Sequence, residues 1–487
     1  MNTISSIIKG FTEDNKKEFI NFLQKKNRRG DAKNIRLFKL IDSDKRNNLD
    51  VLLYGKPARN AYHALCKRLQ DNLIDFVASK SFAGETSEEM DILKLLLASR
   101  IFFEHRQYKV AFKTLEKAER NAMSLELYSI LNEIYHTKIQ YAHLNSKISL
   151  PELFTSAEEN TIHFRREQQL NMAYASIKEK LSQPSTHAIK EVIINTFKEY
   201  NIEVTHALTY KSLFQLMQIT ATIATLRSDY FNISEFMTNL YDIVSEKKSR
   251  NKNNKNLYYH IEILNLMAVT HFRNKNFKKS QAFAKKMENE MQKEKNLYYN
   301  RFSEKLAIIK SLNQNFIGAA QDALNTLNVH KKESLDIDLL KVMVHFQQSN
   351  FNEAYVLLKN VHHSDIWYEK KMGLLWVLKK SIIEILLLIE LNRLDLVLSR
   401  LQSFKKKFSK RLKQLDEERV IIFIKLVSLY YEDPLAVTSE TFKEKVEHSF
   451  NWIGKEREDI FVMSFYAWLK SKMTQDDLYK TTLELVG

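Results

Sequence analysis

A chain of 487 residues with 44% apolar residues is long enough for two or three domains and rich enough in apolar side chains for a core, which excludes global disorder. Eight glycines and four prolines are too few for the turns of a sheet protein or for glycine-rich phosphate loops, so an all-α fold is expected. The formal charge of +16 points either to an acidic partner (nucleic acid, an anionic membrane, an acidic protein) or to a surface coated with the lysine found throughout the chain.

The single Cys66 has no internal disulfide partner, which fits a reducing compartment. The N-terminal stretch lacks the apolar run of a signal peptide, and no segment approaches the ~20 apolar residues of a membrane span. The nearest, Ile382 to Leu391, is interrupted by Glu384 and Glu390. A cytoplasmic protein is the expectation.

Residues 1–84 read as an N-terminal basic helical domain. Glu13 to Lys26, Lys33 to Ile41 and Leu49 to Tyr54 form short helices, and a long one runs from Pro57 to about Lys80. Pro57 suits a first helical turn, where its missing N–H costs nothing. In the long helix Ala58, Tyr62, Leu65, Leu69, Leu73 and Phe76 recur at three- and four-residue spacing as an apolar stripe. Lys56, Arg59, His63, Lys67 and Arg68 lie off that stripe. Short helices followed by a helix with a basic outer face can serve as a helix-turn-helix that meets phosphates and base edges. The other reading is a helical cap whose basic face is merely solvated. Cys66, beside Leu65 and Leu69, reads as an inert, partly buried thiol.

Helical periodicity dominates after residue 84. Leu95, Ala98, Ser99 and Phe102 share one helix face, Tyr108 follows a turn, and Ala111, Leu115 and Ala118 line a second helix. The turn recurs as Asn276-Phe277, Asn315-Phe316 and Asn350-Phe351, each followed three residues on by Ser280, Ala319 or Ala354. Twelve residues upstream of those stand Ala268, Ala307 and Val342. Looser copies occur at Tyr230 and Leu394. A small residue in a first helix, an aromatic at the turn and a small residue in the second helix resemble the tetratricopeptide repeat. The copies here are degenerate: the family's tryptophan in the first helix and proline after the second are absent. The resemblance covers roughly residues 87 to 404 and implies a right-handed superhelical solenoid of antiparallel helix pairs whose curved surface binds a partner. From Tyr108 to Tyr230 there is room for about three further units.

Two stretches interrupt the pattern. Residues 246–256 contain no apolar side chain and read as a polar, basic linker between a first solenoid part, 85–245, and a second, 257–404. Lys405 to Lys413 reads as the solvated end of a helix pair. Residues 405–487, with Phe450, Trp452, Phe461, Phe465, Tyr466 and Trp468, then read as a C-terminal helical capping region that closes the apolar end of the stack.

No catalytic chemistry is legible. Fourteen histidines form no H-E-x-x-H and no pair four apart on a helix, and His362-His363 with Asp365 is the densest cluster. The pairs Glu88-Glu89, Glu158-Glu159 and Glu417-Glu418 are adjacent in sequence, so on a helix they diverge rather than converge as an acid and a base. No metal or cofactor is expected. The reading is a non-enzymatic protein–protein interaction scaffold or adaptor. The alternative is a nucleic-acid-associated regulator that uses Lys56, Arg59, His63, Lys67 and Arg68, with the solenoid as sensor or dimerisation arm.

Overall fold

A computed structural model describes residues 2–11, 13–26, 32–43, 48–84, 88–182, 189–202, 208–226, 229–250, 256–330, 332–414, 418–449 and 458–487. Among these every regular element is helical, and the chain divides into two units, 1–94 and 95–487.

The first unit holds α1 (Asn2–Lys9), α2 (Glu13–Lys26), α3 (Ala32–Asp42), α4 (Leu49–Tyr54), α5 (Arg59–Gly84) and the start of α6 (Glu88–Glu104). Helix α1 has no counterpart in the sequence reading. Its buried Ile4 and Ile8 lie four apart, one turn of a single face, and a helix of eight residues leaves too short a pattern to read. Those two residues join Phe19, Leu23, Leu37, Phe38, Leu53, Leu65, Leu69, Leu73 and Phe76 in one core, with Cys66 and Tyr62 half-buried at its edge. The apolar stripe of α5 is thus its inner face. Helix α5 starts two residues later than Pro57 suggests: Ala58 precedes the first helical residue, its N–H donating to the Asp50 carboxylate at 3.2 Å and its C=O accepting from Tyr62 N–H. Pro57 therefore sits outside the first turn.

The second unit continues α6 and adds α7 (Tyr108–Ser124), α8 (Tyr128–Tyr141), α9 (Leu150–Ser182), α10 (Ile189–Glu199), α11 (Tyr210–Leu226), α12 (Ser234–Arg250), α13 (Leu257–Arg273), α14 (Phe277–Met291) and a single kinked turn, α15 (Lys293–Asn296). There follow α16 (Tyr299–Phe316), α17 (Ala320–Val329), α18 (Leu335–Gln347), α19 (Phe351–Lys359), α20 (Asp365–Met372), α21 (Leu374–Glu390), α22 (Leu394–Gln414), α23 (Glu418–Glu432), α24 (Glu440–Ser449), α25 (Ile460–Thr474) and α26 (Leu478–Val486). Consecutive helices pair: α13 with α14, α16 with α17, α18 with α19, α21 with α22. The first helices of these pairs also touch in series, α11 to α13, α13 to α16, α16 to α18 and α18 to α21, which makes a ladder of first helices.

The crossing inside each pair is set by small or compact residues twelve apart. Ala268 and Ser280 are both fully buried, and the Ser280 hydroxyl donates to the Ala268 carbonyl at 2.8 Å. Ser99 with Ala111 and Val342 with Ala354 hold the same spacing at full burial. The α16–α17 pair departs from the expected register. Asn315-Phe316 is not its turn but the last residues of α16, and the chain turns at Gly318, whose φ of 95° is a conformation glycine adopts without strain. Its crossing pair is Ser311 and Ala323, joined by a 3.1 Å hydrogen bond, rather than Ala307 and Ala319.

Other expectations shift similarly. On α6 the buried side is Ile92, Leu96, Ser99 and Phe103, so Leu95 and Phe102 are only half-buried. Between α7 and α11 the 33-residue α9 packs on α8 as well as on α10 and α11, which leaves fewer units than the three expected there. The first five residues of the expected linker, 246–250, complete α12, where Lys248 reaches Glu290 at 2.6 Å and Lys247 donates to the Leu208 carbonyl at 2.8 Å; residues 251–255 lie outside the described residues. Lys405 to Lys413 falls inside α22, whose other face buries Leu401, Phe404, Phe408 and Leu412. Lys405, Lys406, Lys410 and Lys413 form the exposed face of that helix end.

Candidate functional site

The five basic-face residues do lie together on the outside of the first unit. Lys56, Arg59, His63, Lys67 and Arg68 are all exposed, on α5 or just before it, and Lys56, Arg59 and Lys67 make no ion pair among the described residues. The His63 ring lies tilted against that of Tyr62, ring centroids 5.9 Å apart. Electrostatically this is an exposed cationic strip.

The second unit carries a more elaborate arrangement, absent from the sequence reading. Helices α25 and α26 form a hairpin whose ends are fixed by their own caps: the Asp459 carboxylate accepts from Phe461 N–H at 3.0 Å, and that of Asp477 accepts from Lys480 N–H at 2.8 Å. Helix α25 is apolar nearly all round, as a helix enclosed on several sides must be. One of its sides covers α23, where Phe465 meets Phe423 and Trp468 meets Tyr430 edge-on at 5.3 Å. The hairpin also runs back along the first-helix ladder. Ile460, Met463, Ala467, Leu485 and Val486 share a core with Phe272 of α13, Phe316 of α16 and Val344 of α18. Phe450 and Trp452 of the expected aromatic cap lie outside the described residues.

Polar anchors fix this placement. At the end of α13, Arg273 donates through Nε to Oδ2 of Asp459 at 2.5 Å and its Nη2 forms an ion pair with the same oxygen, with both side chains buried. The Arg273 guanidinium also lies over the Tyr230 and Phe461 rings, 4.5 and 4.9 Å from their centroids. From α21, Lys379 places its ammonium 3.6 Å from the Phe461 ring centre, with no carboxylate within 4 Å among the described residues. Burial first, and Arg273 second, push the Lys379 amine down to about 8. Asp336, on α18, is held above the usual carboxylate range by burial and then by Glu304. At the far end of α25, Glu390 of α21 accepts from the Trp468 indole at 2.5 Å and from Lys472 at 2.6 Å. Tyr479 donates to the Asn315 carbonyl at 2.6 Å, and Glu458 pairs with Arg419 at 3.0 Å.

The N-terminal halves of α13 and α16 carry the exposed Arg301, Lys305 and Tyr299 over the half-buried Tyr258 and the buried Glu262. Arg301 donates to the Tyr258 hydroxyl at 3.2 Å and lies over its ring, Lys305 chelates the Glu262 carboxylate at 2.7 and 2.8 Å, and Tyr299 is exposed. These groups can hold a peptide by aromatic contact and charged hydrogen bonds.

Sequence reasoning missed Arg273, Lys379, Glu390 and Asp459 as a set. Asp459 before an apolar helix signals a cap, but nothing local reveals a partner 186 residues away. The histidine cluster gathers no metal-like set among the described residues: the His362 and His363 rings lie tilted with centroids 4.5 Å apart, while Asp365 is taken by Lys407 at 2.7 Å and by Lys380. Among the described residues no three histidine, cysteine or acidic side chains converge, and no helix is long and apolar enough to cross a membrane. No family model, no curated protein and no solved structure matches the chain.

Proposed function

We propose that the chain is a non-enzymatic interaction scaffold: a tetratricopeptide-like, right-handed solenoid whose first-helix ladder binds a helix or extended segment of another protein in the cytoplasm. The observation that carries the reading is that this ladder seats a two-helix element through Arg273 and aromatic contacts, residue types enriched at protein–protein hot spots, with Lys379 and Glu390 beside them. The lone Cys66 is what supports the compartment. The test is affinity capture from the native source with the full chain and two variants. Tyr258→Ala with Arg301→Glu and Lys305→Glu alters the open part of the ladder; Arg59→Glu with Lys67→Glu and Arg68→Glu reverses the α5 strip. Loss of the same captured protein in the first variant alone supports the scaffold.

A nucleic-acid-associated regulator is the second reading, favoured by the unpaired, exposed Lys56, Arg59 and Lys67 on one strip with His63 and Arg68. It requires oligonucleotide binding that weakens by orders of magnitude between ~50 and ~200 mM salt and disappears in the α5 variant. Absence of binding at the lower salt leaves the strip as solvated surface.

A further inference from the structure

We propose that α25–α26 is an exchangeable intramolecular ligand of the first-helix ladder, so that the chain carries the occupant of its own binding face. The inference rests on the scaffold reading and adds its regulation: the face is self-occupied until a competing helix displaces the hairpin.

Three observations carry it. The ladder helices hold to one another without the hairpin, because α11, α13, α16, α18 and α21 touch in series and each packs on its own second helix. The hairpin is complete without the ladder in its local hydrogen bonding, with an aspartate cap on each helix and a left-handed Gln475 closing α25. The contacts between the two are interface-like at both ends of α25. Ala467 and Leu469 of α25 are fully buried apolar core, whereas its ends meet the ladder through polar groups. Here one end inserts Asp459 and Phe461 between two cations, Arg273 and Lys379, and the other hands an indole N–H and an ammonium to Glu390. Buried ionic anchors gain little net stability over separate solvation, so releasing them costs less than releasing an equal area of apolar packing. A competing helix is thereby specified. It has an aspartate at its N-cap, an aromatic two residues on to lie between Arg273 and Lys379, and a tryptophan nine residues on to reach Glu390.

The decisive experiment uses the full chain and its Asp459→Arg variant, which sets a third cation against Arg273 and Lys379. Hydrogen exchange is followed in peptides from α25–α26 and from α13, α16 and α18, and binding of a fluorescein-labelled peptide of residues 458–487 is measured by anisotropy. The expected result is at least ten-fold faster exchange in α25–α26 alone, with the added peptide binding the variant at least ten-fold more tightly than the parent chain. The double variant Arg273→Asp with Asp459→Arg should return both readouts toward the parent. Exchange that rises together across the hairpin and the ladder overturns the proposal, as does a hairpin that stays protected. A single variant that fails to fold overturns it too, since each result shows a segment that cannot leave. If the hairpin leaves and the peptide rebinds while the partner of the capture experiment is held equally by both chains, exchange stands and it is the scaffold reading of this face that falls.

Discussion

Arg273, the last residue of α13, and Asp459, the N-cap of α25, meet as a buried ion pair in which one carboxylate oxygen accepts from the guanidinium Nε and lies 2.5 Å from Nη2 as well. Taking either charge away strands the other in a dry site, which typically costs about 3–5 kcal/mol, whereas removing both costs far less. Asp459→Asn keeps a capping oxygen for Phe461 N–H and loses only the charge, so it isolates the ionic part. Urea unfolding of Arg273→Met, Asp459→Asn and the double variant should give two large single losses and a double loss well below their sum. Additive losses would mean that the pair is not coupled.

Lys379 gives a pH signature with an unusual sign. Its amine is depressed to about 8 in the folded chain, against ~10.4 for a free lysine. Between those values the unfolded chain binds a proton that the folded chain does not, so stability should rise as pH increases from about 8 to ~10.4. Below 8 both states are protonated, and the folded state carries the full cost of burying the charge. Lys379→Met should therefore stabilise the protein at pH 7 by on the order of 1–2 kcal/mol and flatten that alkaline rise. Destabilisation at pH 7 with the rise intact would show that contact with the Phe461 ring outweighs desolvation.

His271, buried beside the Phe283 ring at 5.3 Å, acts at the acid end. Burial, and then Lys279, lower it to about 4 from the ordinary 6.5. It stays neutral in the folded chain while the unfolded chain protonates, so its contribution is intact above pH 6.5 and is lost as pH falls from 6.5 toward 4. The difference corresponds to on the order of 3 kcal/mol, and solvent screening trims it to about 2. In thermal melts at pH 7 and pH 5, the drop in midpoint should be smaller for His271→Gln than for the parent chain. Equal drops would place the acid sensitivity on other groups.

What the sequence made legible follows interaction range. The stripe of Leu65, Leu69, Leu73 and Phe76 and the pairing of Ala268 with Ser280 are set by neighbours within one helix or one helix pair, so spacing alone reveals them. The α16–α17 turn was displaced because Asn315-Phe316 imitates the motif while Gly318 supplies the conformation that turns the chain. Asn315 is instead a buried donor to Gln347 of the next pair, at 2.7 Å. The basic strip of α5 was legible as a surface, since charges off an apolar stripe must face water. The hairpin site was not. Asp459, Phe461 and Trp468 look like any capped apolar helix until Arg273, Lys379 and Glu390 are brought to them by the stacking of four helix pairs. A lysine opposite a phenylalanine leaves no periodic trace.

The crossing of α13 with α14 tests how far the repeat-like spacing governs stability. Ser280 is fully buried, donates to the Ala268 carbonyl at 2.8 Å and accepts from Asn313 Nδ2 of α16 at 2.9 Å, so one hydroxyl ties together both helices of a pair and the first helix of the next. Ser280→Ala keeps the close approach but deprives Asn313 of a partner, for a loss of about 1–2 kcal/mol. Ser280→Leu adds the wedging of a larger side chain into a closely packed crossing, which brings the loss to about 3 kcal/mol or more. Lys278→Leu, exposed two residues earlier, should change little. Urea midpoints that rank Lys278→Leu, Ser280→Ala and Ser280→Leu in order of increasing loss fit a crossing set by side-chain size. If Ser280→Leu is as well tolerated as Lys278→Leu, the twelve-residue spacing of small residues does not fix how closely these helices cross, and the periodicity records composition rather than packing.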